Sequence, residues 1–291
     1  MIKQRAQNAI ILAAGLSSRF VPISIETPKP LINVKGEILI ERQIRQLKAA
    51  GIQEITIVTG YHHEKFKYLE LDYDVKLVYN PDYFDKNNHS SLFHVRDKLS
   101  NTYICSADNY FTINVFKETP NRSYYSSVYH NGRTDEYCID YATNGKIKKV
   151  KVGGVDAWVM FGHAYLDLET SNYLIPELEK IYKSSNFSNY FWEDILINNL
   201  ENLDIFIKKF DNDVIFEFDS IEQLLKYDKR NPSILESKYI KSICNYLGSN
   251  LNKLHDFYPL YDTNGNIEGF TFRVKNLYYH FDINNMVISI K

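Results

Sequence analysis

The stretch Asn8–Phe20, which reads NAIILAAGLSSRF, decides how this chain begins to fold. Asn8–Ala13 is a short apolar run with the length of a buried strand, and it ends in the glycine loop Ala14–Ser18. Small residues directly after a strand let backbone N–H groups come close to a phosphate chain. The stretch therefore predicts a strand followed by a phosphate-binding loop.

Two cationic side chains follow this loop. Arg19 comes directly after it, and Lys29 lies in Thr27–Leu31, which reads TPKPL and whose two prolines stiffen the backbone. A guanidinium and an ammonium beside a phosphate chain neutralise the charge that grows when the α-phosphate is attacked. The spacing matches neither the Walker A loop nor the dinucleotide motif GxGxxG, which argues against a kinase or a dehydrogenase.

The first 110 residues alternate between strand and helix patterns. The predicted segments after the loop are the helix Glu37–Ala50, the strand Glu54–Thr59, the helix His63–Leu69 and the strands Val75–Tyr79 and Thr102–Ser106. This alternation predicts an α/β fold, with a mostly parallel sheet covered by helices on both faces. Such sheets bind ligands beyond the carboxyl ends of their strands, and Asp108 follows one of these ends.

The second half of the chain has a different pattern. The predicted strands are Ser123–Tyr129, Tyr137–Tyr141, Ile147–Val152, Ala157–Phe161 and Val214–Phe218, with turns at Asn131–Gly132 and Asn144–Gly145. The predicted helices are Ser171–Tyr182, Phe191–Asn199 and Ile221–Tyr227. The dipeptide Asn231–Pro232 is typical of a turn or loop at a domain boundary. We therefore expect a catalytic domain over residues 1–230 and a small C-terminal appendage over residues 231–291, with a helix-like piece (234–247) and a hairpin-like piece (269–290).

Composition excludes several classes of protein. The formal charge of -2 over 291 residues leaves no global basic field that would attract nucleic acid. Three cysteines stand far apart without a CxxC spacing, as expected for reduced thiols in the cytoplasm. No apolar run is long enough for a membrane span. We expect a soluble cytoplasmic protein that does not bind nucleic acid.

The loop and its cations resemble the LAAGxGSR…TPKxL signature of nucleoside-triphosphate transferases, which make NDP-sugars and CDP-alcohols. Within that family the chain is similar to the bacterial CTP:phosphocholine cytidylyltransferases, which feed choline decoration of surface glycans, and to the enzymes that activate 2-aminoethylphosphonate. The resemblance runs from about Asn8 to Tyr227. The further segments that carry the resemblance are VTGY (58–61), YN (79–80), NN (87–88), SADNY (106–110), FWED (191–194) and EFDS (217–220). It implies a mixed, mainly parallel, Rossmann-like sheet and a Mg²⁺-dependent nucleotidyltransferase.

The resemblance also assigns roles to residues. It implies that Lys29, Arg19 and Asp108 are catalytic, with Lys29 as the main stabiliser of the transition state. The implied nucleotide-binding residues are Leu12, Ala13, Ala14, Gly15, Ser17, Ser18, Gly60, Asn80, Asn88 and Ser90. No protein nucleophile is required, because the acceptor oxygen attacks the α-phosphorus in line and pyrophosphate leaves.

The implied metal ligands are Asp108 and Asp219, with Glu193 and Asp194 as alternatives to Asp219. A hard cation held by one or two carboxylates plus phosphate oxygens is common in phosphoryl chemistry. Each carboxylate also has a local explanation. Asp219 and Ser220 precede a helix that they could cap, and acidic residues in a first helical turn are favoured by the helix dipole.

The acceptor site is predicted from aromatic rings and carboxylates. Its residues are Glu136, Tyr137, Trp158, Phe191, Trp192, Glu193 and Asp194. The phosphocholine enzymes have tryptophan where this chain has Tyr137, and tyrosine where it has Phe191. Aromatic rings favour a quaternary ammonium through cation–π attraction, whereas the carboxylates suit a primary ammonium as well. The predicted substrates are CTP and a small amino-bearing phosphate or phosphonate, such as phosphocholine.

Two alternatives stay open. One is a sugar-1-phosphate nucleotidyltransferase using UTP or dTTP, and the other is a non-catalytic protein that senses nucleotide. In the appendage, residues 257–274 (FYPLYDTNGNIEGFTFRV) resemble the first hairpin of a choline-kinase-type domain, although no catalytic segment of such a domain follows. A chain that ends near Tyr227 is therefore expected to keep its activity.

Overall fold

The computed structural model describes residues 5–263 and 267–290. The strands are β1 (Asn8–Ala13), β2 (Asn33–Val34), β3 (Glu37–Ile38), β4 (Glu54–Thr59), β5 (Lys76–Tyr79), β6 (Thr102–Ser106), β7 (Asn109–Phe111), β8 (Tyr124–Tyr141), β9 (Ile147–Leu166), β10 (Phe206–Lys209), β11 (Ile215–Glu217), β12 (Leu254–Tyr261), β13 (Ile267–Val274), β14 (Leu277–Asp282) and β15 (Val287–Ile290). The α-helices are α1 (Ile23–Glu26), α2 (Leu39–Ala49), α3 (Tyr68–Tyr73), α4 (Asn88–His94), α5 (Leu168–Tyr182), α6 (Trp192–Asn198), α7 (Ile221–Tyr227), α8 (Pro232–Leu235) and α9 (Lys238–Leu247).

Packing groups these elements into two compact units. The first comprises Gly15 and the described residues before it, together with Ile40–Glu217. The second comprises Leu16–Leu39, together with Phe218 and the described residues after it. The boundary expected after residue 230 divides a catalytic domain from an appendage. That division concerns function, so it stays a prediction.

The first unit contains a seven-stranded sheet in the order β10-β8-β9-β6-β1-β4-β5. Strand β1 pairs in parallel with both β4 and β6, and β4 pairs in parallel with β5. The pairs β6–β9 and β8–β9 are antiparallel, and β10–β8 is parallel. The predicted mixed, mainly parallel α/β sheet is confirmed.

The core of the first unit explains why β1 is central. Ile10 and Ile11 are fully buried, which is typical of a parallel strand covered on both faces. Helix α2 turns Ile40, Ile44 and Leu47 inward, all without solvent exposure, at the spacing of one helical face. The carboxyl ends of β1, β4 and β6 therefore lie at the same edge of the sheet, where the predicted loops begin.

Strands β8 and β9 form one long antiparallel hairpin where the sequence suggested four strands. The predicted turn at Asn144–Gly145 is confirmed, and the amide of Gly145 donates to the carbonyl of Ala142 at 2.8 Å. The predicted turn at Asn131–Gly132 is wrong, because the register merely shifts between His130 and Arg133. Gly132 has a φ of 82° and donates its amide to Asp156 Oδ1 at 2.7 Å, as a β-bulge with a local anchor does.

The second unit combines the β2–β3 pair with an antiparallel sheet in the order β12-β13-β14-β15. Tyr239 of α9 packs edge-on against Phe270 and Phe281, whose rings stack with centroids 5.0 Å apart. The helix-like piece predicted at 234–247 is divided into α8 and α9, and the hairpin-like piece extends backward to include β12. Residues 264–266 of the kinase-like motif lie outside the described residues. Within the described ranges, no helix is both long and apolar enough to cross a membrane.

Candidate functional site

The predicted phosphate loop follows β1 at the centre of the sheet. The amide of Ala107, which comes after β6, donates to the carbonyl of Leu12 at 3.1 Å. The amide of Tyr61, which comes after β4, donates to the carbonyl of Ala14 at 3.2 Å. The start of the loop is thus held by the ends of both neighbouring strands.

Two glycines near this loop have different local surroundings. A Cβ on Gly60 would lie 2.7 Å from the carbonyl oxygen of Ala14 and 2.6 Å from Cβ of Tyr83, so this glycine is required by close packing. A Cβ on Gly15 would meet nothing within 4 Å. Packing within the described part of the chain therefore does not require a glycine here, and the approach of a phosphate chain to Gly15 stays a prediction.

Leu16 begins the part of the signature that belongs to the second unit. Ser17 has left-handed backbone, with a φ of 52°, and leads into a short 3₁₀ turn at Ser18–Phe20. Arg19 Nη2 lies 2.9 Å from Asp219 Oδ1, which joins a predicted phosphate ligand to a predicted metal ligand. Ser220 caps α7 by accepting from the amide of Gln223, so the side chain of Asp219 is not the helix cap.

Lys29 lies in a second 3₁₀ turn, Lys29–Leu31, and only 6% of the residue is exposed. Its Nζ lies 5.6 Å from the ring centroid of Phe20. Lysine is rarely so deeply buried unless a charge or a ligand compensates it. The burial supports a functional role for this ammonium over a surface role.

The turn that carries Asp108 is held by a residue that the sequence analysis missed. Gln43 of α2 is fully buried, and its Nε2 donates to the carbonyl of Ser106 at 2.8 Å and to that of Asn109 at 2.9 Å. These carbonyls stand on either side of Ala107 and Asp108, so Gln43 fixes the turn from both ends. No sequence motif indicated it, because a glutamine in an amphipathic helix is unremarkable by pattern.

A second missed residue is Glu217, which ends β11. It pairs in register with Asn109, whose Nδ2 donates to Glu217 Oε2 at 3.4 Å. The negative charge of Glu217 also contributes to the raised pKa of Tyr125 in the predicted acceptor region, where burial is the largest cause. Glu217 therefore lies beside the Asp108 turn, and the sequence analysis quoted it only as part of EFDS.

Three residues predicted to bind nucleotide use their side chains inside the protein. Asn80 is 1% exposed, and its Nδ2 donates to the hydroxyls of Ser90 and Ser91 at 2.9 and 3.0 Å. Asn88 accepts from the amide of Trp192 at 2.8 Å and donates to Glu193 Oε2 at 3.2 Å. These contacts shape the loop around α4 and connect it to α6, and direct contact with a nucleotide stays a prediction.

The predicted acceptor carboxylates are held by tyrosine hydroxyls. The hydroxyl of Tyr137 donates to Asp194 Oδ1 at 2.7 Å, and the hydroxyl of Tyr125 donates to Glu193 Oε1 at 3.1 Å. Asp194 also accepts from the amide of Phe191 at 2.8 Å and so caps α6. Asp194 therefore has a local role at the start of α6 as well as a contact with the tyrosine.

Glu193 has an unusual proton affinity for a carboxylate. Burial raises its pKa to about 7, against the opposing hydrogen bonds from its own backbone, Asn88 and Tyr125, and the charge of Asp194 raises it further. The residue is 8% exposed. A cation placed beside such a group would favour its ionised form.

The four remaining acceptor candidates lie in different surroundings. Phe191 is 42% exposed and Glu136 is exposed, so both can reach solvent. Trp192 is 2% exposed and stacks on Tyr125 within the core, so its ring has a packing role. The ring of Trp158 receives Lys209 Nζ at 4.7 Å, a cation supplied by the chain itself.

The predicted metal ligands do not form a preformed coordination site. Within residues 5–263 and 267–290, no group of three or more histidine, cysteine, aspartate or glutamate side chains could hold a metal ion. Asp108 is half-buried in the first unit, and Asp219 belongs to the second. Mg²⁺ usually takes one or two carboxylates and completes its shell with phosphate oxygens and water. The donor chemistry therefore fits Mg²⁺.

Comparison with known proteins identifies the family of this chain. A MobA-like NTP transferase domain matches residues 9–116. A choline-phosphate cytidylyltransferase of Streptococcus pneumoniae is 36% identical over 221 residues, which make up 76% of this chain and 96% of that enzyme. A 2-aminoethylphosphonate cytidylyltransferase of Lancefieldella rimae is 37% identical over 79% of this chain and 95% of its own length. The solved structure of CTP:phosphocholine cytidylyltransferase from Streptococcus pneumoniae matches with a TM-score of 0.75, covering 78% of this chain and 99% of that one. The chain belongs to the nucleotidyltransferase family that contains the choline-phosphate and 2-aminoethylphosphonate cytidylyltransferases.

Proposed function

We propose that this protein transfers CMP from CTP to a small amino-bearing phosphate or phosphonate, such as phosphocholine, and releases pyrophosphate. The observation that carries the proposal is that two relatives, both cytidylyltransferases, match this chain over 95% or more of their own length at 36–37% identity. The buried Lys29 and the carboxylates beside Tyr125 and Tyr137 support it. The fold alone does not, because a fold can host many reactions.

In the proposed reaction an oxygen of the acceptor phosphate attacks the α-phosphorus of CTP. The new P–O bond forms as the bond between the α-phosphorus and the bridging oxygen breaks, and that oxygen leaves with pyrophosphate. Lys29 and Arg19 bind the phosphate oxygens, and Lys29 stabilises the charge that develops in the transition state. Ala13–Gly15 surround the triphosphate with backbone amides.

We propose that Mg²⁺ takes part, bound through Asp108 and a second carboxylate. Asp219 is the ligand that the sequence indicates, and Glu217 is the carboxylate that pairs with the neighbour of Asp108. When bound, the ion neutralises the triphosphate and orients it for in-line attack. Gln43 holds the Asp108 turn in place for this purpose.

The choice of acceptor depends on rings and carboxylates together. Cation–π attraction is worth roughly 0.5 to 2 kcal/mol and acts on any ammonium, including trimethylammonium. A hydrogen bond to a charged group is worth about 1.5 to 3 kcal/mol and requires an N–H donor, which choline lacks. We propose that the exposed ring of Phe191 contacts the ammonium, while Glu193 supplies the opposite charge. This arrangement accepts phosphocholine and 2-aminoethylphosphonate alike.

The proposal includes a cytoplasmic location and a role in supplying activated aminoalcohols for cell-surface glycans, as the resemblance implies. Cys105 and Cys138 are buried free thiols, as expected where disulfides do not form.

The test is pyrophosphate release by the purified chain. CTP, UTP and dTTP are each offered with phosphocholine, 2-aminoethylphosphonate or glucose 1-phosphate, with Mg²⁺ and again with the metal chelated. We expect turnover only with CTP, an amino-bearing acceptor and Mg²⁺. Turnover with glucose 1-phosphate and UTP or dTTP would favour a sugar nucleotidyltransferase. Nucleotide binding without turnover of any nucleotide–acceptor pair would contradict the proposal that the protein is an enzyme.

A further inference from the structure

The carboxylate of Glu26, at the end of α1, lies at the N-terminus of α9. The hydroxyl of Ser237 donates to Glu26 Oε2, and the amide of Lys238 donates to Glu26 Oε1 at 3.1 Å. The first amides of a helix have no partner within the helix, and the helix dipole favours a negative charge there. Glu26 therefore links the signature segment to the first turn of α9 although 211 residues separate it from Ser237.

Further hydrogen bonds connect the residues after Lys29 to the same C-terminal region. The amide of Asn33 donates to the hydroxyl of Ser233 at 3.0 Å, and the amide of Lys35 donates to Asp228 Oδ2 at 3.0 Å. Asn231 is fully buried, and its Nδ2 donates to the carbonyl of Asn33. The chain is thus held on both sides of Lys29, through Glu26 before it and through Asn33 and Lys35 after it.

The turn that carries Arg19 also belongs to this arrangement. Ser18–Phe20 packs against β12, and Arg19 pairs with Asp219. Residues 16–39 contain little regular structure of their own, apart from α1, the β2–β3 pair and two short 3₁₀ turns. A segment of this kind keeps one conformation only if other parts of the chain restrict it, because ordering each backbone residue costs roughly 1–2 kcal/mol.

We propose that the C-terminal region from Asp228 onward positions the Arg19–Lys29 segment. Within that segment, Glu26 is the principal residue through which the C-terminal region acts. The inference rests on the proposed function, since Lys29 acts on the nucleotide there. It replaces the expectation that a chain ending near Tyr227 keeps its activity.

The experiment compares three full-length variants with the native chain. Glu26→Ala removes both hydrogen bonds to the N-terminus of α9, and Glu26→Gln keeps an amide oxygen that can accept one of them. Glu236→Ala is the matched control, because Glu236 is an exposed glutamate directly before Ser237. Steady-state kinetics with CTP and the best acceptor, and hydrogen exchange of residues 16–39, are measured on each variant below its unfolding temperature.

We expect Glu26→Ala to lower kcat and kcat/KM together by about 10- to 100-fold, the scale that follows from misplacing a group that acts in the transition state. Hydrogen exchange should become faster in residues 23–35 and stay unchanged in β1 and β4. Glu26→Gln should recover part of the lost kcat, and Glu236→Ala should match the native chain in both measurements.

Each other outcome has a separate meaning. Unchanged exchange in residues 23–35 of Glu26→Ala overturns the positioning role, whatever the kinetics. Faster exchange with native kcat overturns it as well, because the segment would then not need to be held. An inactive native chain overturns the proposed function instead, and the exchange measurement alone then decides whether the C-terminal region orders the segment.

Discussion

At the scale of single residues, Glu193 is the carboxylate whose charge depends most on the fold. Its pKa of about 7 has burial as the largest cause, and its neighbours are Tyr125, Asn88 and Asp194. Only the ionised form attracts an ammonium. We therefore expect KM for the acceptor to fall as pH rises from about 6 to about 8, with this dependence absent in Glu193→Gln. Kinetics over that pH range check it, with the exposed Glu201→Gln as the control.

The same residue has a consequence for stability that does not depend on activity. A folded-state pKa raised above the ordinary 4.5 of a glutamate means that the native state binds the proton more tightly than the unfolded state. The unfolding free energy should thus fall as pH rises from about 4.5 to about 7, by up to roughly 1.4 kcal/mol per pH unit for this proton. Denaturant unfolding of the native chain and of Glu193→Gln measures this pH dependence. If the unfolding free energies of the two proteins fall equally steeply with pH, Glu193 is more hydrated than its burial indicates.

Gly15 permits a test of whether the loop approaches a ligand. Since a Cβ at Gly15 would meet no protein atom within 4 Å, Gly15→Ala should fold normally. Its stability should be equal or higher by about 0.4–1 kcal/mol, because alanine restricts the unfolded chain. We expect its kcat/KM for CTP to fall by about tenfold or more, since the methyl group occupies the space of the phosphates.

The matched variant is Gly60→Ala, whose Cβ would lie 2.7 Å from the carbonyl oxygen of Ala14. It should lower stability by about 1–3 kcal/mol, as overpacking does. Calorimetric unfolding and CTP kinetics on both variants separate a ligand effect from a packing effect. Native kinetics in Gly15→Ala would remove Gly15 from the phosphate site.

At the scale of elements, α2 connects the core to the Asp108 turn. Gln43→Ala leaves two carbonyls without their donor, which should cost about 1–3 kcal/mol of stability. Because those carbonyls flank Asp108, we also expect kcat to fall by about 10- to 100-fold and the Mg²⁺ concentration for half-maximal rate to rise.

Gln46, one helical turn further along α2, provides the control. Its Nε2 donates to the carbonyls of Phe111 and Ile113 at 3.1 and 3.2 Å, beyond the Asp108 turn. Gln46→Ala should lose stability without the change in metal dependence. If both variants respond to Mg²⁺ in the same way, Gln43 has only a structural role.

At the scale of the whole molecule, the buried His163 should determine part of the acid stability. Burial lowers its pKa to about 3, and the charge of Lys208 lowers it slightly further. Its Nε2 lies 3.1 Å from the hydroxyl of Tyr124, and its ring contacts Tyr103 and Phe116. The native state therefore keeps this ring neutral at pH values where the unfolded chain binds a proton.

Because the folded-state pKa lies below the ordinary 6.5 of a histidine, this stability is fully present above pH 6.5 and is lost as the pH falls toward about 3. The expected slope is up to roughly 1.4 kcal/mol per pH unit for one proton. His163→Gln should remove this slope, whereas His255→Gln, at a half-buried position, should not. Urea unfolding at several pH values between 4 and 7 checks the prediction, and an unaltered slope in His163→Gln would contradict it.

The sequence by itself determined the first strand, the loop after it, the alternation that makes a mainly parallel sheet, and the family. These features are local, because strand and helix periods, glycine loops and a signature confined to residues 12–31 depend on neighbours along the chain. The helix Ile221–Tyr227 was predicted with its observed bounds for the same reason. The continuity of strands β8 and β9 was not predicted. A β-bulge at Gly132 and a turn have similar local sequence patterns, so the sequence alone did not distinguish them.

Only the tertiary structure decided which side chains meet. Glu217 lies beside Asn109 across 108 residues, and Gln43 reaches the Asp108 turn from a helix more than 60 residues earlier. Trp192 belongs to the core although its segment resembles an acceptor site. The signature residues from Leu16 onward belong to the same compact unit as the C-terminal region. Such pairings come from burial and from hydrogen bonds between distant segments, for which the local pattern carries no signal.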